Sequence, residues 1–187
     1  MLNTVYQLVR PRQFEVVFKD ITMDDKHVIV HPTHLSICNA DQRYYQGLRA
    51  EAVLKKKLPM ALIHEGIGRV IYDPTGHFEQ GTLVVMIPNT PVEQDEIIAE
   101  NYLRSSKFRA SGFDGFMQEY VSMEPDRLVV LPEDINLSVA AFTEIVSVSY
   151  HAIQRFLRFS HERRNVIGVC STMNKRSQIR QFHCQAN

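Results

Sequence analysis

The sequence has few cysteines, no net charge and no long apolar run, and each shortfall excludes something. Its 187 residues hold three cysteines, Cys38, Cys170 and Cys184. An odd number without regular spacing does not build a disulfide framework, and a reducing cytoplasm is the expected setting. Lysine plus arginine number 21, as do aspartate plus glutamate, so the formal charge is zero. That balance argues against broad electrostatic capture of nucleic acid or of an anionic membrane. No apolar stretch is long enough to span a bilayer. The opening MLNTVYQLVRPRQFEVVF is broken by Arg10, Pro11 and Arg12 and reads as no signal peptide. There is no internal repeat.

What is present is a series of short strands punctuated by glycine and proline. Phe14 to Phe18, His27 to Val30, Gly68 to Tyr72, Gly81 to Pro88, Phe116 to Ser122 and Arg127 to Leu131 all carry this signal. Asp73-Pro74-Thr75-Gly76 is a turn. The pattern predicts a mainly β domain, a barrel or a sandwich. Asn89 to Ser111 is a polar excursion between strands, expected to hold a helical piece near Val92 to Leu103. A helix is expected after Pro132, with Ser138 as N-cap and apolar spacing through Ala141, Ile145, Val148, Ile153 and Phe156. Val166 to Cys170 reads as the start of a buried strand, and the residues after it show neither period.

Three places hold candidate zinc ligands: Cys38, the pair His64-Glu65, and Glu144 inside the helix. A catalytic zinc takes about three protein ligands and keeps one open position for a substrate oxygen. Singly, each has a plainer reading. A lone cysteine is usually a small core residue. Neighbours on a strand face opposite ways, although a turn permitted by Gly66 and Gly68 would let His64 and Glu65 converge. Glu144 alone reads as a solvent-facing helix residue, yet its neighbours Phe142, Ile145 and Val146 are apolar, and a buried carboxylate there would need a partner.

Order and spacing change the weight of these signals. SICNADQRYYQG resembles the GICGSD segment of zinc-dependent medium-chain alcohol dehydrogenases, with Asp41 three residues after Cys38. LPMALIHEGIGRV resembles their GHE-G-G-V segment, GTLVVMIP their GDRVVV-P strand and DGFMQEYV their GGFAEYV. LPEDINLSVAAFTEIVSVSYHAI resembles their LPD-AAL-E-HA run. Five motifs stand in the family's order over residues 1 to about 158. Within the family the likeness is to the enzymes that reduce ribulose 5-phosphate to ribitol 5-phosphate with NADPH, ahead of CDP-ribitol synthesis for teichoic acids and some capsules. The cues include VYQLVRPRQFEV, KLPMALIHEG, MIPNTP, IAENYLRSSKFRASGFDGFMQ and the Thr143-Glu144 pair.

The resemblance implies a GroES-like, partly open β-barrel catalytic domain over 1–133, a helix over 134–158 leading to a missing cofactor domain, and a vestigial strand and unpatterned tail over 159–187. It assigns Cys38, His64, Glu65 and Glu144 to one catalytic zinc ion, with Glu65 and Glu144 alternating as ligands or one of them tuning the site from behind. It implies NADPH as hydride donor, a phosphorylated sugar as substrate and a cytidylyltransferase as partner.

The sequence also departs from the family. Many members carry serine or threonine two residues after the zinc cysteine as a proton relay, and here that position is Ala40. The relay then falls to Glu65, Asp41, Tyr45 or zinc-bound water. Asn89 to Asp114, where many members place four cysteines around a structural zinc, has none, so no structural zinc is expected. Ser171 to Arg176 contains no glycine where a dinucleotide fingerprint is due, the pattern of a frameshift or early stop. The expectation is an NADPH site absent from this chain and a chain inactive alone. For the substrate phosphate the candidate cations are Arg43, Arg104, Lys107 and Arg109, each with solvated surface as its plainer reading. Arg43 has the best claim, five residues after Cys38. Lys55 to Lys57 reads as a solvated run, the other histidines as ordinary polar residues, and His151 as packing. A GroES-like module used only for binding or assembly is the competing reading, and Cys38, His64, Glu65 and Glu144 argue against it, because such a module has no need of them.

Overall fold

The chain opens on a hairpin. In the computed structural model, which describes residues 1–96 and 103–160, β1 (Leu2–Arg10) and β2 (Gln13–Asp20) pair antiparallel through a tight turn in which Arg12 takes φ 64°. β2 lies where the apolar run from Phe14 to Phe18 predicts a strand, whereas β1 carries no such signal, because its polar Asn3 and Gln7 interrupt the expected alternation. Both are buried and hydrogen-bonded to later parts of the chain, Asn3 to Gln118 and the Tyr120 carbonyl, Gln7 to Asp114. A short β4 (Met60–Ala61) pairs with the other side of β1.

The larger sheet is built from β3 (Val28–Ser36), β5 (Glu65–Tyr72), β6 (Leu83–Met86), β9 (Val121–Met123) and β10 (Leu128–Val130), in the order β10-β6-β5-β3-β9, with every neighbouring pair antiparallel. One face of it is lined by apolar side chains. Val30, Val70, Val84, Met86, Phe116 and Met123 pack with others into one core. Leu8, Tyr44, Met60, Leu62 and Ile63 form a second beneath the hairpin. β7 (Asn89–Thr90) and β8 (Lys107–Phe108) make a two-stranded ribbon at the root of the polar excursion.

Several expectations need correction. The run from Phe116 to Ser122 is strand only from Val121; Gln118 makes a single bridge to Val5. Residues 92–96 are not helical, and 97–102 lie outside the described residues. Two short helices were not foreseen as such: α1 (Asn39–Tyr45) and α2 (Glu51–Lys57), the latter carrying Lys55 to Lys57 in its last turn. The helical segment expected over 134–158 divides into α3 (Leu137–Ala140) and α4 (Thr143–Ser160). The N-cap is Asn136, whose side chain accepts from the Val139 amide at 3.1 Å, and Ser138 lies inside α3. Asparagine is as good a cap as serine, and register decides between them.

Met1–Val148 forms one compact unit. The residues beyond it that the structure describes are the remainder of α4. The strand expected at Val166–Cys170 and the unpatterned residues after it lie outside the described residues. No described helix is long and apolar enough to cross a membrane.

Candidate metal centre

Cys38 is the N-cap of α1, at the point where β3 leaves the large sheet. Its position is fixed by Asp41, one helical turn on. Asp41 Oδ2 accepts from the Cys38 amide and from its thiol, each at 3.1 Å, while Oδ1 accepts from the Ile63 amide at 2.9 Å. Asp41 is buried, and this one carboxylate ties the cysteine turn to the segment that carries His64. A buried carboxylate is tolerable because three donors satisfy it.

His64 and Glu65 enter from the opposite side. The turn that lets adjacent residues converge precedes them: Ile63 has φ 68°. That is the left-handed region, unfavourable for a β-branched side chain and sustained only where surrounding bonds fix it. They do so here. Besides the Asp41 bond to its amide, the Ile63 carbonyl accepts from Phe116 at 2.6 Å and the Leu62 carbonyl from Met117 at 3.1 Å. The family segment that LPMALIHEG resembles has glycine where this chain has Ile63. Gly66 and Gly68, expected to permit the turn, serve another purpose. Both sit within β5, and a Cβ on them would lie 2.5 Å from a Leu35 methyl and 2.6 Å from the His31 carbonyl oxygen. They allow β3 and β5 to approach closely.

These turns bring three donor atoms together. Cys38 Sγ lies 3.5 Å from His64 Nε2, and that nitrogen lies 3.8 Å from Glu65 Oε1. All three ligand atoms fall within 4.8 Å of one another. A tetrahedral zinc with S, N and O ligands at about 2.0–2.3 Å holds neighbouring donor atoms about 3.3–3.6 Å apart. The sulfur–nitrogen spacing fits such an ion, the nitrogen–oxygen spacing is a few tenths of an ångström wider, and the soft–borderline–hard donor set suits zinc. Without it the Cys38 thiol is pushed up to about 11, first by burial and then by its hydrogen bond to Asp41. A metal would have to take the place of that proton.

Glu144 stands in the first turn of α4, outside the three-atom set. It is half-buried and not turned out to solvent. Burial pushes its carboxyl above the ordinary range; His64 draws it down and the charge of Glu65 adds to the rise. It therefore belongs to the same electrostatic neighbourhood. Arg43 is exposed in the last turn of α1. Tyr45 is exposed and stacked on Phe14 at 5.9 Å. Asp41 already accepts bonds on both oxygens.

Two contributors were not singled out from sequence. Ser36, buried on β3, donates to Glu65 Oε2 and leaves Oε1 toward His64. Phe108, on β8, presents its ring to the His64 ring edge-on, 5.1 Å between centroids. The register pairing Ser36 with Glu65 carries the first; no local signal carries the second.

Comparisons with known proteins converge on one family. A profile described as "Alcohol dehydrogenase GroES-like domain" matches residues 24–133. The chain is 62% identical over 169 residues to the ribulose-5-phosphate reductase of Bacillus spizizenii, covering 90% of this chain and 50% of that protein. It is 61% identical over 169 residues to ribulose-5-phosphate reductase 2 of Staphylococcus aureus, with the same coverage. Among solved structures, S. aureus TarJ in complex with NADPH matches at 49% identity and TM-score 0.69, over 86% of this chain and 43% of that one. L-idonate 5-dehydrogenase of Escherichia coli matches at 26% identity and TM-score 0.74, over 81% of this chain and 46% of that one. The chain thus spans about half the length of the curated relatives it matches, and the GroES-like, mainly β fold expected from the motifs is the fold it has.

Proposed function

We propose, for a chain that belongs to the alcohol dehydrogenase GroES-like domain family, that Cys38, His64 and Glu65 hold one catalytic zinc, with Glu144 as the further carboxylate of that site. The reaction it serves is reduction of D-ribulose 5-phosphate to D-ribitol 5-phosphate with hydride from NADPH. The carrying observation is the convergence of Cys38 Sγ on His64 Nε2 at 3.5 Å, with Glu65 Oε1 3.8 Å from the same nitrogen. Identity to ribulose-5-phosphate reductases, and the NADPH complex of TarJ, support the substrate and the donor.

Zinc bound there supplies Lewis-acid polarisation of a carbonyl oxygen, which favours hydride delivery to the carbonyl carbon and proton delivery to the oxygen. The chain's own residues set the conditions. Asp41 holds Cys38 at the correct position from behind. Ser36 fixes the rotamer of Glu65, so that one carboxylate oxygen is committed and the other faces the cluster. Phe108 walls His64 from one side, excluding water there. Ala40 offers no hydroxyl for the proton; the Ser36–Glu65 pair is the hydroxyl–carboxylate couple the site does hold. With this activity go a cytoplasmic setting and a cytidylyltransferase partner that consumes the pentitol phosphate.

The test is metal binding by the chain. About one zinc per chain is expected by elemental analysis. Cobalt replacement should give a thiolate-to-metal charge-transfer band that Cys38→Ser abolishes. A chain devoid of metal, indifferent to Cys38→Ser, ends this reading.

A further inference from the structure

Phe108 borders more than the cluster. It also lines an open cleft of about 780 Å³ between the end of α2, the loop from Arg104 to Phe113, and β9. That volume is in the range of small-molecule sites. Five cations line it, Lys56, Lys57, Arg104, Lys107 and Arg109, against one carboxylate, Glu124. The sequence as a whole is neutral, so the concentration of charge is a product of folding.

None of the five forms an ion pair among the described residues. Lys57 Nζ donates to the carbonyl and hydroxyl of Ser111, and Arg109 donates to the carbonyls of Ser122 at 2.6 Å and Asp114 at 3.5 Å. These partners are uncharged groups: they position the cations and leave the charge. Arg109 is further held over the rings of Phe113 and Phe116. Glu124 lies 3.9 Å from His27, and together with the Asp114 carboxylate it balances part of the Arg109 charge; Lys56, Lys57, Arg104 and Lys107 carry the surplus. Lys56, Arg104 and Lys107 are exposed and have no ion-pair partner among the described residues. The cleft therefore combines two fixed cations with three adaptable ones. A monoanionic carboxylate would leave most of this charge unmatched. A phosphate monoester carries about −1.5 to −2 at neutral pH and several acceptor oxygens, which arginine forks and lysine ammonium groups both satisfy.

We propose that this cleft is a phosphate-monoester site, in which Arg104 and Lys107 close on a dianion presented to Lys57 and Arg109. It deepens the sugar-phosphate reading above but rests on the cleft's own residues. Because Phe108 is common to cleft and cluster, the phosphate is either that of the substrate itself or that of a separate phosphorylated ligand.

The experiment is calorimetric titration of the intact chain with inorganic phosphate at low ionic strength. Saturable binding is expected, weakened roughly tenfold or more in R104Q/K107Q and by added sodium chloride, and unchanged in K55Q, whose lysine pairs with Glu51 outside the cleft. Absence of saturable binding, or equal binding by R104Q/K107Q, overturns the proposal. Two arms separate the sources. If D-ribulose 5-phosphate, unlike D-ribulose, perturbs the cobalt spectrum and R104Q/K107Q weakens the effect, the phosphate is the substrate's. If phosphate binds while the sugar phosphate leaves the cobalt spectrum unmoved, a separate ligand occupies the cleft; either result supports the site. A chain that takes no metal but binds phosphate sinks the zinc reading and keeps this one.

Discussion

Asp41 holds Cys38 twice, at amide and thiol, through a single oxygen at 3.1 Å in both cases. Its other oxygen reaches the Ile63 amide, so the two halves of the candidate metal centre share one buried brace. Metal binding removes the thiol proton, so the part of the brace that lasts is the pair of bonds from the Cys38 and Ile63 amides, and Asp41→Asn keeps the size while losing an acceptor for one of them. Groups that orient a ligand from behind typically contribute 10–100-fold to metal affinity. We expect zinc affinity to fall by about that factor, with far-UV circular dichroism unchanged, and Tyr45→Phe to have no effect. Competition against a chromophoric chelator measures both.

Gly115 has no room for a side chain. A Cβ there would lie 2.3 Å from the Ile63 carbonyl oxygen and 2.4 Å from that of Leu62. Both are backbone atoms of the turn that delivers His64. Gly115→Ala should cost about 1–3 kcal/mol or more, as overpacking does, and should weaken metal binding with it. Gly76→Ala meets nothing within 4 Å and bears only the penalty of its φ of 75°. Urea denaturation of the two variants should rank Gly115→Ala as the more destabilised; the reverse order would disprove the steric account.

Ile63 and Ile67 are both buried, but only Ile63 has a positive φ. Glycine relieves left-handed strain of about 1–3 kcal/mol while losing the same packing. Ile67→Gly should therefore be the more destabilising by at least about 1 kcal/mol. Equal losses in urea midpoints would show that Ile63 bears no strain.

Asp114 provides a pH signature away from the candidate metal centre. Burial pushes its carboxyl up, but bonds from Lys19, the Ala61 amide at 2.7 Å and Gln7 at 2.9 Å outweigh it, and the net position is below the ordinary carboxylate range. A group lowered in the folded state stabilises fully above its unfolded value, near 3.8, and loses that contribution as pH falls toward its folded value. The stability gap between the wild type and Asp114→Asn should be full at pH 6 and narrow below about pH 4. A gap that is constant from pH 6 to pH 3 would refute the assignment.

The candidate ligands were legible because their chemistry is rare and their order fixed. Cys38, His64, Glu65 and Glu144 stood out as residue types in motifs, and the structure brings the first three together with Glu144 close by. Their supports were not legible. Ser36 and Phe108 are ordinary residues whose roles depend on β3 pairing with β5 and on a ribbon from a distant loop. Asp41 was visible as part of a motif but was weighed as a proton relay; its brace appears only when Ile63 stands beside it. The glycines misled for a related reason. Glycine permits both a turn and a close strand approach, and local sequence does not distinguish them.

The sequence by itself determined β2 and the strands of the larger sheet in outline, through β-branched runs and turn residues, and the identity of the donor atoms, which is a property of side-chain type. Tertiary structure decided where those atoms meet and where charge gathers. Convergence of residues 26 positions apart, as Cys38 and His64 are, depends on strand register and on one left-handed residue. A neutral sequence becomes a basic cleft only when the end of α2 and the Arg104–Phe113 loop fold against each other. Long-range geometry of this kind leaves no local period to read.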